Sequence, residues 1–536
     1  MKDEKAIAGA TGCRRDVLQS ARSLHFIDIW RKDMPRNLQA EPLLPVDDIQ
    51  GDILVGLLKN HEHLIFFEIT NLGDFKSFLQ TVEITSVRDC LDQRAAIAAN
   101  KAQDIDRIIA TPGLNIAFTY AGLQALGVAN LPTSSDVQKF RDGMAASRAD
   151  LNDPDPAHWQ ILRPGQPVHG VFIVTGASHA EVVDIIGLRL APPAANGWKQ
   201  VHQEVGEVRP DPVRGHEHFG FADGVSQPGI RGRVAAGVPL TPQLGADENQ
   251  GARGQDLLWP GEFVFGYSGQ NQDADEFSEE GGESTPPAPF MKDGAYLVFR
   301  RLAQHVPEFN ASVKQAAAAI PAGSDKPTAT LFGAQLVGRW KSGAPLELAS
   351  THDDHRFADG TADANNFEFG DDREGVRCPW AAHIRKAYPR DDVRGNTSPK
   401  QSEIDQAEAF TQTRRMLRRG ITFGPEVSEA EALAGQSAGG AKTRGLLFKC
   451  YVTSIEDQFE FVQQSWCNNV DFSQLGSGID PIIGQTAPAE ARPFLGAAPV
   501  TEQSANKPQI ANLGLFVEMQ GGAYFFAPSI PAIRSF

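Results

Sequence analysis

No stretch of this sequence approaches the roughly 20 consecutive apolar residues that a membrane-crossing helix requires, so no spanning segment is expected. Cysteine is scarce. Cys13, Cys90, Cys378, Cys450 and Cys467 are odd in number, widely spaced and never arranged as C-x-x-C. That pattern excludes a disulfide framework and a zinc finger and leaves free buried thiols. Basic charge is also in deficit: 50 Lys and Arg face 67 Asp and Glu, a formal net charge of −17. Nucleic acid and an anionic membrane surface are therefore not expected as partners, because both need a basic face. The excess acid reads as solubility. An apolar leader segment is missing too. Arg14 and Arg15 form a pair near the start, but no apolar run follows them, so neither export signal is expected. The chain is expected in the cytoplasm, with secretion left open.

What is present is ordinary for a large globular protein. The chain has 536 residues, 41% hydrophobic and 22% charged, enough for two to four domains with large cores. Residues 1–45 read as an N-terminal arm. HLIFFEIT (63–70) reads as a strand, and DFKSFLQTVE (74–83) has helical spacing. A strand-then-helix theme recurs at 113–128, 294–313 and 445–466, and VHGVFIVTG (168–176) is a further buried strand. No regular βαβ spacing appears. This predicts an α+β fold with antiparallel sheets flanked by helices, built as duplicated ferredoxin-like domains. The N-terminal copy is placed at 46–240 and the C-terminal copy at 255–536, with acidic, Gly- and Pro-containing insertions at 268–291 and 341–375.

FADG occurs twice, ending at Asp223-Gly224 and at Asp359-Gly360. The second copy lies in a loop crowded with Asp353, Asp354, Asp363, Asp371 and Asp372. Its spacing does not match a calcium loop, and the plainer reading is a solvated acidic surface. The first copy, GHEHFGFADGVSQPGI, sets its acid among glycines and beside Phe219 and Phe221. An apolar setting predicts a partly desolvated carboxylate with a raised pKa, suited to proton transfer. An Asp closing a turn before Gly is the equal alternative. In VRCPWAAHIRKAYPR (376–390), His383 has small neighbours, Ala381 and Ala382, and cations at Arg377, Arg385, Lys386 and Arg390. A lone His is usually structural, but imidazole for iron and Arg for a carboxylate would fit haem. RRMLRRGITFG (414–424) reads as a short basic helix ending at Gly420. Its arginines either face solvent in the last turn or point into a site.

Taken in order, these segments resemble the dye-decolourising peroxidases, a family of haem peroxidases, in its larger, fungal-like branch. The G-x-x-D-G signature is matched by Gly220-Phe221-Ala222-Asp223-Gly224, the proximal segment by CPWAAHIRKAYPR and the distal arginine segment by MLRRGITFG. The resemblance extends over about residues 46–536. It implies haem b bound in the C-terminal half, with His383 as the axial ligand of iron and Arg385 on the cofactor. It also implies Asp223 as distal acid and base, Arg418 stabilising O–O cleavage, and Leu446 and Phe448 in the distal pocket. Asp480, in GIDPIIGQ, is the candidate acceptor for the other His383 nitrogen, and Trp380 the candidate electron relay. Hydrogen peroxide and small-molecule or dye reductants are the implied partners; homo-oligomerisation is left open. The competing reading is a haem-binding or haem-handling protein with little turnover.

Overall fold

The segment read as a strand at 63–70 is apolar at nearly every position because both of its faces are covered. In the computed structural model of the chain it forms β1 (His61–Ile69). Leu64 and Phe66 enter one core, Ile65 and Phe67 the other. The structure describes residues 36–536 except 104–107, 246, 273–278, 320–327, 441–442, 487–491, 493, 496–508 and 511–512. Most of the arm read at 1–45, and part of the insertion read at 268–291, lie outside the described residues.

Eight further strands join β1 in one sheet: β2 (Gly113–Phe118), β3 (Gly170–Gly176), β4 (Trp198–Glu207), β5 (Ala295–Gln304), β6 (Leu417–Arg418), β7 (Ile421–Phe423), β8 (Gly445–Val452) and β9 (Val517–Ala527). Their spatial order is β6–β8–β5–β9–β2–β3–β1–β4, with β7 also on β8. The first four strands run second–third–first–fourth. So does the later set, with β6 and β7 together in second place. Two ferredoxin-like units of one topology are thus laid side by side, all neighbours antiparallel.

The units meet where Phe526 of β9 pairs with Phe118 of β2. At the opposite seam Thr422 Oγ1 donates to the Glu207 carbonyl at 2.5 Å, and Ile421 presses on Gly206. A Cβ at Gly206 would stand 2.3 Å from Ile421, so β7 approaches β4 this closely only because the position is glycine. The sheet thereby curls into an α+β barrel. Leu64, Phe66, Ile173, Leu297, Phe299 and Phe525 fill its interior. The outer face is covered by helices, among them α1 (Leu72–Thr81), whereas α2 (Val87–Ala102) packs its Val87 and Cys90 onto the interior cluster. Asn71 caps α1, and Ser86 with Asp89 forms a capping box on α2.

The later unit carries α3 (Val306–Ala319), α4 (Ala329–Val337), α5 (His383–Ala387) and α6 (Gln401–Gln412). The strand-then-helix reading at 445–466 holds, with β8 followed by π-wound turns at Ile455–Glu460 and Val462–Cys467. The basic helix expected at 414–424 does not form. Helix α6 stops at Gln412, and the following residues make β6 and β7. The open hydrogen-bonding edge of β8 outweighs local helix preference: Leu417 pairs with Tyr451, Arg418 with Cys450, and the Arg419 N–H donates to the Lys449 carbonyl. The insertion at 341–375 is not merely solvated loop either. Ala344, Leu346, Phe367 and Phe369 build a small core with Trp340 and Cys378.

Candidate active site

A cavity of about 300 Å³ opens on the helix-covered face of the later unit. Strand parity places its sheet wall. Arg300, Leu302 and Gln304 alternate along one face of β5, and Leu446 and Phe448 along the same face of β8. The two strands are in register, so Arg300 lies across from Phe448 and Leu302 across from Leu446. Arg418, at the end of β6, completes this wall.

The opposite wall carries His383, the first residue of α5. Its Nδ1–H donates to Asp480 Oδ2 at 2.8 Å. Asp480 is fully buried, and its Oδ1 accepts the backbone N–H groups of Ile482 at 2.8 Å and Ile483 at 3.0 Å. The carboxylate is thus fixed before it meets the ring, and it sets the tautomer with Nδ1 protonated and Nε2 carrying the lone pair. Burial opposes an imidazolium, but the Asp480 charge and hydrogen bond outweigh it, so the pKa of His383 is raised. Burial likewise pushes Asp480 up, and the imidazole with the two N–H groups brings it below the ordinary carboxylate value. Nε2 finds no hydrogen-bond partner among the described residues, and the ring lines the cavity.

Asp223 lies on the cavity wall beside Gly224. It is exposed, which corrects the expected desolvation. The phenylalanines beside it, Phe219 and Phe221, are buried against Phe309, ring centroids 4.4 and 6.4 Å away, and line the same cavity. The Asp223 loop is tied to Arg418. The Arg418 Nη2–H donates to the Ser226 carbonyl at 2.5 Å, and Gln227 bonds both the Arg418 carbonyl (3.0 Å) and its N–H (3.3 Å). Asp223, Arg418 and His383 act on one another electrostatically.

One expected role is corrected. Arg385 does not reach the cavity. It is 1% exposed and donates to both oxygens of Asp392, to the Cys378 carbonyl and to the side chain and carbonyl of Asp372. All five guanidinium N–H donors are used, which leaves none for a cofactor carboxylate. Trp380 is no surface residue: it is 8% exposed, and its Nε1–H donates to the Arg373 carbonyl at 3.0 Å. Ala381 and Ala382 are fully buried in the packing around α5 rather than leaving room beside the imidazole. Leu446, Phe448, Asp223, Arg418 and His383 are brought together, with Asp480 directly behind His383.

The cavity also gathers cations, of which the sequence reading notes Arg390 beside His383 and Arg414 and Arg415 in the basic segment but neither Arg339 nor Arg300. Arg339, Arg390, Arg414 and Arg415 line it, each over an aromatic ring: Arg339 and Arg390 over Phe367 at 5.5 and 4.1 Å, Arg414 over Phe410 at 4.4 Å and Arg415 over Tyr388 at 3.6 Å. Arg300 is 3% exposed, pairs with Asp153, and keeps Nε and Nη1 without a hydrogen-bond partner among the described residues. Only the alternation in FRRL along a strand pointed to Arg300. An imidazole lone pair on one wall, apolar side chains opposite and guanidinium groups around them fit an iron porphyrin with its carboxylates. Among the described residues no group of three or more His, Cys, Asp or Glu stands ready to hold a metal ion, and no helix is long and apolar enough to cross a membrane.

Comparison with known proteins agrees with this geometry. Residues 48–210 match the DyP dimeric alpha+beta barrel domain. The chain is 35% identical over 508 residues to the dye-decolorizing peroxidase msp1 of Mycetinis scorodonius, covering 92% of this chain and 87% of that protein. A solved variant of the dye-decolorizing peroxidase from Pleurotus ostreatus superposes with a TM-score of 0.75 at 32% identity, covering 92% of this chain and 99% of the other. A dye-decolorizing peroxidase in complex with 2,6-dimethoxyphenol gives 0.73 at 33% identity, with the same two coverages. The chain therefore belongs to the dye-decolorizing peroxidases, a family of haem peroxidases.

Proposed function

We propose that this enzyme reduces hydrogen peroxide on haem b held by His383 and takes the two electrons, one at a time, from dyes, phenols or similar donors. The observation that carries the reading is the convergence of three distant segments on one cavity: Asp223, His383 with its Asp480 partner, and Arg418. The phenol complex of a relative supports the donor class. Haem, when bound, supplies the redox chemistry of peroxide cleavage and substrate oxidation.

This chain's residues supply the rest. His383 offers Nε2 to the iron while Asp480 keeps Nδ1 protonated and strengthens the donor. Asp223 would take a proton from hydrogen peroxide and return it to the oxygen that leaves as water. Arg418 holds fixed N–H donors where negative charge gathers as the O–O bond lengthens. Leu446 and Phe448 keep the distal space small and dry. Arg339 and Arg390 are placed to meet cofactor carboxylates in the role first expected of Arg385. Dyes too large for the cavity would hand electrons through aromatic side chains. Trp380, three residues from His383, is retained as the relay, passing charge through the protein interior rather than meeting the dye.

The test is the absorbance spectrum of haem-reconstituted protein before and after one equivalent of hydrogen peroxide, with Asp223→Ala and His383→Ala alongside. A Soret band that shifts at once with peroxide, is lost without His383 and responds slowly without Asp223 is expected. A band that only bleaches would instead favour haem handling.

A further inference from the structure

The loop bearing Asp223 is held almost residue by residue. The Ala222 N–H donates to the Lys341 carbonyl at 3.0 Å and the Asp223 N–H to the Gly215 carbonyl at 3.0 Å. Ser226 and Gln227 are tied to Arg418. Between these anchors the Asp223 carboxylate has, among the described residues, only a local hydrogen bond, Oδ1 accepting the Gly224 N–H at 2.7 Å. Gly224 adopts φ +76° with nothing within 4 Å of where a Cβ would stand. A glycine in that conformation and that space is a swivel, so the direction of the Asp223 side chain depends on what fixes the next peptide.

That fixing contact comes from the second FADG segment. Asn365 Nδ2–H donates to the Val225 carbonyl at 2.8 Å. Its amide orientation is set by chemistry: Arg339 can only donate, and its Nη2 lies 2.8 Å from Asn365 Oδ1, leaving the NH₂ group for Val225. Arg339 is itself immobilised, with Nη1 donating to the Gly343 carbonyl at 2.9 Å and the Ala364 carbonyl at 2.7 Å. The Asn365 backbone packs directly on Gly254, where only a glycine fits: an added Cβ would lie 1.9 Å from the Asn365 carbonyl oxygen.

We infer that Asn365, on the 341–375 insertion, is a positioning residue for Asp223, carrying the fixed geometry of Arg339 on the cavity wall to the loop that presents the distal acid. The inference rests on the reading of Asp223 as proton acceptor. Asn365 does not line the cavity; it acts through Val225.

The cleanest perturbation is Asn365→Asp. It keeps an acceptor for Arg339 but turns a carboxylate oxygen toward the Val225 carbonyl. In the haem-loaded enzyme the second-order rate of reaction with hydrogen peroxide is expected to fall roughly tenfold, the order expected from losing one anchoring hydrogen bond and gaining a repulsion. Haem stoichiometry should be unchanged, and amide hydrogen exchange in residues 216–228 should quicken. Because Asn365 acts through Asp223, Asn365→Asp should add less than about a twofold loss in an Asp223→Asn background. An unchanged peroxide rate, unchanged exchange, or a full tenfold loss added to Asp223→Asn would overturn the inference. Asn365→Ala, judged by the same comparison, serves if the aspartate variant does not fold. If Asp223→Asn itself leaves the peroxide rate intact, the proton-acceptor reading is what fails.

Discussion

Replacing Asp480 by Asn changes one atom in a fully buried site, and the structure says which way the new amide must lie. The Ile482 and Ile483 N–H groups, at 2.8 and 3.0 Å, require an acceptor. The Asn oxygen must therefore stay on them, because two buried donors left unpaired would cost more than any other arrangement. The Asn NH₂ then faces His383 Nδ1, where a carboxylate oxygen now accepts at 2.8 Å. A donor facing Nδ1 forces the lone pair onto Nδ1 and the proton onto Nε2, the tautomer that cannot ligate iron. Loss of such an outer partner typically weakens metal binding about 10- to 100-fold, about 1.4–2.8 kcal/mol. That matches the roughly 1.5–3 kcal/mol of a hydrogen bond to a charged group. Haem transfer to excess scavenger apoprotein should accelerate by that factor. If the lost carboxylate favours ferric over ferrous iron to the same degree, the midpoint potential rises on the order of 60–120 mV. An Asp480→Asn enzyme that releases haem within about twofold of the parent rate, with its potential unmoved, would refute the claim that Asp480 sets the His383 tautomer.

Other consequences are open to measurement. Arg418→Leu should slow the peroxide step on the order of 10²-fold or more, as loss of one charge-stabilising donor does elsewhere; stopped-flow mixing with peroxide checks it. Arg385→Met strands the buried carboxylates of Asp372 and Asp392 and should cost about 3–5 kcal/mol in denaturant unfolding. Burial pushes the Glu262 carboxyl up to about 8 against its accepted bond from the Gln270 N–H. A folded-state pKa above the unfolded value means stability is lost as pH rises from about 4.5 towards 8. Glu262→Gln should therefore match the parent near pH 4 and exceed it by a few kcal/mol at pH 8, read from melting at both values. Trp380→Phe should cut dye turnover without slowing the peroxide step if Trp380 relays electrons; equal dye turnover removes it from that role.

Much of this site could be read from short segments whose chemistry is local. By themselves the strings around His383 and Asp223 left a structural reading open, and it was the resemblance of the ordered segments to a known family that selected them and Asp480. What could not be read was direction. The string HIRK holds Arg385 and Lys386 beside the histidine, yet Arg385 is turned into an acidic clamp and Lys386 into the carbonyls of Asn469 and Phe472. Side-chain direction on a five-residue helix is decided by what packs around it, and those partners lie up to about 90 positions away. The arginines at 414–419 were misread as helical for a related reason: nothing in their own segment signals that the strand at 445–452 offers them an open edge. The strands themselves were legible because burial on two faces leaves long apolar runs.

The two units share a topology but not a burden. On the outer face of the first, Phe67, Phe118 and Phe172 of the strands pack against Phe75, Phe78 and Trp198 without a break. On the corresponding face of the second, Tyr296, Val298, Cys450 and Val452 fill one end, while Arg300, Leu302, Leu446 and Phe448 give way to the cavity at the other. A duplicated architecture thus divides its labour, one copy acting as ballast for the other. The catalytic copy is fused to its solid twin through a common sheet. Directed evolution of this enzyme can accordingly explore the second unit freely only while the aromatic packing of the first is left alone.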